Sequence, residues 1–337
     1  MKKLKIFMTT FAALALVACG SNPSKEANNS EEAVNSQEAL VSEEAPSSSS
    51  EAAPSSSQTP VEPLMTIDYE TARAGYQSVA FELSGTEKID GVSTPITDGY
   101  TVSNGVYTIT KAGTWSAKGY LKGQIIISVN GVELELNQAF LENNQGKAPI
   151  YCTVAPVTEG TQTKAEVKGK NGSSSYVVQY GGSYDKDQPD TAGAIVSATD
   201  LDLGGKGALA IIGSLKHGVK AQKVVLKSEG ARYVQGSKDG SAINCNEITN
   251  KDDSRNYLYC INSKNGIKAD TSINLIAGDV SVYDCETGFK TEKKSGNEFI
   301  TLSEKVKLYY DEAHITTLFD TNAGKLTNNA TVNPPEE

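Results

Sequence analysis

Tryptophan is nearly absent from this chain of 337 residues. Trp115 is the only one, and aromatics make up 7% of the whole. So thin a supply disfavours a broad aromatic platform of the kind that would grip a flat crystalline polysaccharide. Histidine occurs twice, as His217 and His314, and the five cysteines include no CxxC spacing, so neither a zinc ligand set nor a dithiol redox motif is indicated. No pair of carboxylates stands out as the acid and base of a glycoside hydrolase. Positive charge is in short supply too: 31 Lys and Arg face 41 Asp and Glu, for a net charge of −10, which disfavours a nucleic-acid partner. The one long apolar run, Ile6 to Val17, is too short to read as a mature transmembrane helix.

That run follows Lys2, Lys3 and Lys5 and ends in "LVACG", the layout of a secretory signal. The ending resembles the bacterial lipoprotein box, with Leu16, Val17 and Ala18 ahead of the thiol and Cys19 at the lipidated position. Residues 1–19 are therefore expected to be a lipoprotein signal and lipidation site, with the acyl chains of Cys19 as the anchor. Residues 20–63 are Ser, Glu, Ala, Asn and Pro, with "SEEAPSSSSEAAPSSSQTPVEP" as their core. Such a segment has too little apolar surface to offset ordering entropy and is expected to be a disordered tether. It would span roughly 36 Å by square-root scaling. Lys25 against eight glutamates gives it a net charge of −7, so most of the chain's acidity belongs to the tether, and about −6 remains for the folded part once the signal lysines are set aside.

The remainder repeats itself. "TAGAIVS", "KHGVKA", "KDGSAIN", "KNGIKAD" and "TGFKTEK" align on Gly193, Gly218, Gly240, Gly266 and Gly288, with spacings of 25, 22, 26 and 22. A period in the twenties marks units that bury their apolar side only by stacking. Apolar residues alternate, as in Val219 and Ala221, Ile267 and Ala269, and Val280 and Val282, so the units are strands. The expected fold class is all-β, a single-stranded right-handed parallel β-helix, or β-solenoid, over residues 95–312. Residues 64–94 are expected to form an N-terminal cap region, and 313–337 a C-terminal cap and tail. Each turn would lie about 4.8 Å above the last, with the glycines at corners that require a positive φ. Trp115 is expected in an early turn, in the core or the cap. For Cys152, Cys245, Cys260 and Cys285 two readings stand: buried thiols, or a bridge such as Cys260 with Cys285.

Stacking turns distant residues into vertical rows. Lys216, Lys238 and Lys264 stand two residues before the glycines, and Lys220, Lys268 and Lys290 two after. Like charges about 5 Å apart cost on the order of 0.8 kcal/mol per neighbouring pair even in water, a cost an anionic ligand would relieve. These lysines are candidate ligands for uronic-acid chains, set against the ordinary reading of lysines that discourage edge-to-edge pairing. Tyr233 and Tyr259 each lie seven residues before a glycine and should superpose as a sugar-stacking pair.

"ITKAGTWSAKGYLKGQIIIS", "TAGAIVSATDLDLGGKGALAIIGS", "KHGVKAQKVVL" and "NGIKADTSINLIAGDVSVYD" resemble successive blocks of the bacterial carbohydrate-binding domain family of right-handed parallel β-helix proteins, related in shape to pectate lyases. The resemblance covers roughly residues 95–302. It implies an exported, calcium-bearing binder of acidic plant cell-wall polysaccharide, without established catalysis. Where that family has Asp-Gly, this chain has His217-Gly218, Asp239-Gly240, Asn265-Gly266 and Thr287-Gly288, so one carboxylate of four is kept.

Calcium takes about six to eight oxygens at roughly 2.3–2.6 Å. The best local candidates are Asp185, Asp187 and Asp190 in "SYDKDQPDT", followed by Asp239 with Asn265 on consecutive turns. Asp252 and Asp253 read as solubilising residues of an insertion. A calcium-dependent polysaccharide lyase is the alternative function and would use Arg232, Lys220 or Lys268 as base. No acidic cluster stands beside them, and a lone histidine at a turn, as at position 217, ordinarily is polar surface. A non-sugar adhesin or structural solenoid is the third reading.

Overall fold

A computed structural model of the chain describes residues 68–154, 164–251, 256–292, 295–310, 312–322 and 324–332. These fall within one unit, Glu62–Glu337. The signal segment, Cys19, the tether, Asp252, Asp253 and the last five residues lie outside the described residues.

The described chain is all-β apart from one α-helix and a short 3-10 turn. Its strands fall into three columns of parallel pairs. The first runs through Ser174–Gln179, Ala208–Gly213, Ala231–Gln235, Tyr257–Ile261, Gly278–Tyr283 and Val306–Tyr310. The second runs through Ile150–Cys152, Gly193–Ser197, His217–Lys220 and the first halves of Ser241–Asn250 and Asn265–Leu275, then Thr287–Thr291 and Thr317–Asp320. The third holds Lys164–Gly169, Asp200–Gly205, Lys223–Leu226, the second halves of the two long strands, Phe299–Leu302 and Lys325–Asn328. The chain visits second, third and first columns in that order, turn after turn. Apolar side chains of each strand point inward and meet their counterparts a turn away, as in the row Ile195, Val219, Ile243, Ile267 and Phe289, all 1% exposed or less.

Among the described residues antiparallel pairing is confined to the N-terminal side. Glu82–Ile89 pairs with Val92–Ile96 and with Gly113–Lys122, and Tyr100–Ser103 pairs with Val106–Ile109. The two hairpins turn at Asp90-Gly91 and Asn104-Gly105, both residues of each turn at positive φ, which is the type I′ geometry that Asp-Gly and Asn-Gly favour. These strands lie over the start of the stack, where Trp115 is fully buried and donates its indole N–H to the Lys111 carbonyl at 3.0 Å. The helix Tyr69–Tyr76, capped by the Asp68 carboxylate on the Thr71 N–H, rests on the outside of the first column. There Tyr76 contacts Phe140 and Tyr176 and donates its hydroxyl to the Ser174 carbonyl at 2.8 Å. At the other end parallel pairing continues past residue 312 to Val332, so the segment expected as a C-terminal cap adds one more turn to the columns.

The repeat glycines differ from expectation in two respects. The register Ile195, Val219, Ile243, Ile267, Phe289 stacks Ala194, Gly218, Ala242, Gly266 and Gly288, a period of 24, 24, 24 and 22, so Gly193 and Gly240 sit outside the row. None of the five aligned glycines has a positive φ. Crowding, not backbone handedness, selects them: a Cβ on Gly218 would meet Val234 Cγ1 at 2.5 Å and the Gln235 carbonyl at 2.7 Å, and one on Gly266 would meet the Gly288 carbonyl at 2.7 Å. The four described cysteines are free and buried, so Cys260 and Cys285 form no bridge.

Candidate functional site

Where the second column passes from His217–Lys220 to Thr287–Thr291, its outer surface is hollow. The cleft has a volume of about 340 Å³ and is walled by Lys216, Lys264, Lys268 and Lys290, with Asp239 and Glu292 as its acids. Its hollow shape follows from sequence. The pairing of Ser241 with Asn265 sets Gly240 beside Lys264, and a Cβ on Gly240 would overlap the Lys216 carbonyl, so two lysines flank a position without a side chain. His217, Ser241, Asn244 and Asn265 complete the lining.

The two expected lysine rows are therefore not continuous ladders. Gly240 separates Lys216 from Lys264, and Asn244 stands between Lys220 and Lys268 in the register Lys220, Asn244, Lys268, Lys290, Asp320. These interruptions relieve the like-charge cost that a gapless row would carry. Acids relieve more of it: Lys268 is paired with Glu292, and Lys290 with Asp320 at 2.9 Å. Among the described residues Lys216, Lys220 and Lys264 have no carboxylate partner, and Lys216 Nζ lies 5.4 Å from the ring centre of Tyr184. Lys238 is outside the cleft, exposed and paired with Asp284 at 3.0 Å.

His217, expected as a polar turn residue, is a strand residue only 8% exposed. Its Nδ1 accepts the Ser241 backbone N–H at 3.0 Å. Burial first, then the charges of Lys220, Lys216 and Lys268, push its pKa down to about 3, so the ring is neutral in the cleft. Sequence reasoning also missed Ser241, Asn244 and Glu292. Correct alignment of the repeat would have placed the first two between the lysines; nothing local marks Glu292.

Tyr233 and Tyr259 lie on the first column, away from the cleft. They do superpose, with ring centres 4.6 Å apart and planes 11° apart. That stacking makes each ring cover a face of the other. Faces run along the column and edges point outward, so the pair offers no open two-ring platform to a sugar. Burial raises both phenol pKa values, so they are neutral hydroxyls.

The candidate calcium ligands do not converge. Asp185 accepts the Asp187 N–H at 2.9 Å and the Gln188 amide at 3.1 Å, Asp187 pairs with Lys186, and Asp190 pairs with Lys147 at 2.9 Å. Asp239 and Asn265 share the cleft with four lysines, and the Asn265 amide donates to the Ser241 hydroxyl. Among the described residues no three His, Cys, Asp or Glu side chains are gathered to hold a metal ion, so neither set fits the oxygen-rich cage that calcium needs.

Arg232 does not fit the role of a lyase base. In register it lies between Leu209 and Leu258, pointing inward and fully buried. Its guanidinium donates to the carbonyls of Lys227 at 2.8 Å, Gly205 at 2.9 Å, Ser228 at 3.4 Å and Gly230. It satisfies the backbone where the chain turns from the third column to the first, out of reach of any substrate.

Comparison with known proteins agrees with this architecture. A solved structure described as the polysaccharide lyase-like protein from C. thermocellum, a gadolinium derivative, superposes with a TM-score of 0.52 at 16% identity, covering 73% of this chain and 94% of that one. That likeness is one of fold. No curated protein matches the chain by sequence. Residues 103–296 match the family described as carbohydrate-binding domain-containing protein, a span that holds every strand of the second column bordering the cleft. The chain belongs to the family of carbohydrate-binding domain-containing proteins.

Proposed function

We propose that this protein is a lipid-anchored binder of polysaccharide, acidic polysaccharide in particular, and that it works without catalysis. Its binding domain is a right-handed parallel β-helix, held off the envelope surface by the tether at residues 20–63 and anchored through Cys19. One observation carries the choice of an acidic glycan: Lys216 and Lys264 face a common hollow without a carboxylate partner, although the chain as a whole is acidic. Uncompensated like charges gathered around a concavity favour an anion that neutralises them. A uronic-acid chain brings a carboxylate per sugar and hydroxyls that match the amide of Asn244, the partly exposed polar residue between Lys220 and Lys268. Family membership supports the sugar. Against the lyase alternative stand the burial of Arg232 and the lack of a convergent acid cluster among the described residues. A structural or adhesive role without sugar is the remaining competitor.

The deciding experiment is retention of the exported chain on a panel of neutral and acidic polysaccharides, with and without EDTA. Retention on polygalacturonate that is lost at high salt and indifferent to EDTA is expected. Retention on nothing in the panel sinks the proposal, loss with EDTA restores a role for calcium, and rising absorbance near 235 nm from unsaturated uronate establishes a lyase. Incorporation of labelled fatty acid that disappears in Cys19→Ala tests the anchor.

A further inference from the structure

The lysines supply the cleft with charge but not with direction. His217 supplies direction. A backbone N–H is always a donor, so the 3.0 Å bond from Ser241 requires a lone pair on Nδ1. In the neutral ring the proton then belongs to Nε2. No described residue takes a hydrogen bond from Nε2, and the ring lines the cleft. An unused donor, fixed in tautomer and held by the next strand, therefore stands in the lining of the hollow together with ammonium groups.

Building on the anionic ligand proposed above, we infer that His217 donates Nε2–H to an oxyanion of that ligand and thereby fixes where the oxyanion sits. Charge alone attracts any polyanion, whereas a neutral donor of set direction asks for an acceptor at one place. A sugar carboxylate and a sulfate ester both meet that requirement, and they differ in geometry.

Neutrality of the ring has a measurable consequence. The groups facing His217 are Lys216, Lys220, Lys264, Lys268 and Lys290 with Asp239 and Glu292. The window that matters runs from about pH 5.5 to 8, across which an unperturbed histidine titrates. With its own pKa near 3, His217 does not gain charge in that window. Affinity should then be flat across it. An ordinary histidine with a pKa near 6.5 would add a positive charge as pH falls and tighten anion binding.

The test combines long-range ¹H–¹⁵N spectra of the histidine-labelled folded chain with calorimetry, using a short oligogalacturonate and dextran sulfate as probes. The free protein should show the Nε2–H tautomer. The Nε2 resonance should move with the same saturation curve as heat release, with affinity constant within about twofold from pH 5.5 to 8. His217→Gln should lose on the order of tenfold in affinity, in line with the loss of a hydrogen bond to a charged group. The wild-type spectra decide the matter if that variant folds poorly. The inference is overturned by the Nδ1–H tautomer, by His217 signals that stay still while an acidic probe binds, or by affinity that rises several-fold towards pH 5.5; each leaves the acidic-glycan proposal standing. Binding of neither probe overturns both. A larger response to oligogalacturonate than to dextran sulfate assigns the oxyanion to a carboxylate, and the reverse to a sulfate.

Discussion

If the cleft recognises an anion through its field, removing one of its acids should improve binding. Glu292 lies on the wall beside Lys268 and contributes a negative charge to the same hollow as the unpartnered Lys264. A unit charge about 5–8 Å from a ligand carboxylate is worth roughly 0.5–0.8 kcal/mol in water. Lys264→Gln should therefore weaken an oligogalacturonate by about two- to fourfold. Glu292→Gln should strengthen it by a similar factor, and the double variant should return close to the starting affinity, because field contributions of separate charges add. Loss of the Lys268–Glu292 pair, in which Glu292 is exposed and Lys268 partly buried, should cost no more than about 1 kcal/mol, the upper end for pairs open to solvent. Calorimetry at low salt measures all three, and in about 1 M salt, where the Debye length is roughly 3 Å, the differences should collapse. Weaker binding by Glu292→Gln, or effects that persist undiminished in 1 M salt, would refute the electrostatic account.

Other perturbations test the fold beneath the site. Arg232→Met removes the donor to the carbonyls of Lys227, Gly205 and Gly230; urea unfolding should show a loss of about 2–5 kcal/mol, whereas an unchanged midpoint would mean the guanidinium is not an internal plug. Gly266→Ala places a Cβ 2.7 Å from the Gly288 carbonyl and 2.9 Å from Val282 Cγ1 and should destabilise by about 1–3 kcal/mol. Gly75→Ala, on an open helical position with nothing within 4 Å, should stabilise by about 0.5–1 kcal/mol in the same assay. Glu298 accepts the Ser295 N–H and hydroxyl and the Gly296 N–H, which hold its pKa near 2 against an ordinary 4.5. A depressed folded-state pKa stabilises above the unfolded value and loses that contribution as pH falls towards 2. Glu298→Gln should therefore flatten the acid limb of stability between about pH 4.5 and 2, and an unaltered limb would contradict the hydrogen-bonded carboxylate.

Much of the architecture was legible because stacking writes itself into the chain. Alternation in "GVKA" and "GIKAD" gave strands, and their recurrence gave parallel neighbours, as the pairings of Val219, Ile243 and Ile267 show. Asp90-Gly91 and Asn104-Gly105 are hairpin signals that the repeat-based expectation passed over, so the antiparallel pairing of Tyr100–Ser103 with Val106–Ile109 falls inside the span expected as parallel β-helix. The alignment on glycine slipped at Gly193 and Gly240, because the row selects for small volume and admits a methyl group at Ala194 and Ala242 where Gly218 and Gly266 have no room for one. The slip at Gly240 put Lys238 into a row with Lys216 and Lys264, and the gaps at Gly240 and Asn244 went unseen.

From the sequence alone follow the strand content, the stacked repeat, the acidity of the N-terminal segment and the identity of most of the cleft's lysines, since each depends on local composition or on period. Tertiary structure decided that His217 is buried and neutral, that Arg232 turns inward to satisfy carbonyls, that the tyrosines cover each other's faces, and that Glu292 shares a wall with Lys268. Those outcomes depend on which side of a strand a residue leaves from and on what the turns above and below contribute there. Neighbours across a turn are adjacent in space but more than twenty residues apart in the chain, so their mutual contacts are fixed only when the register is.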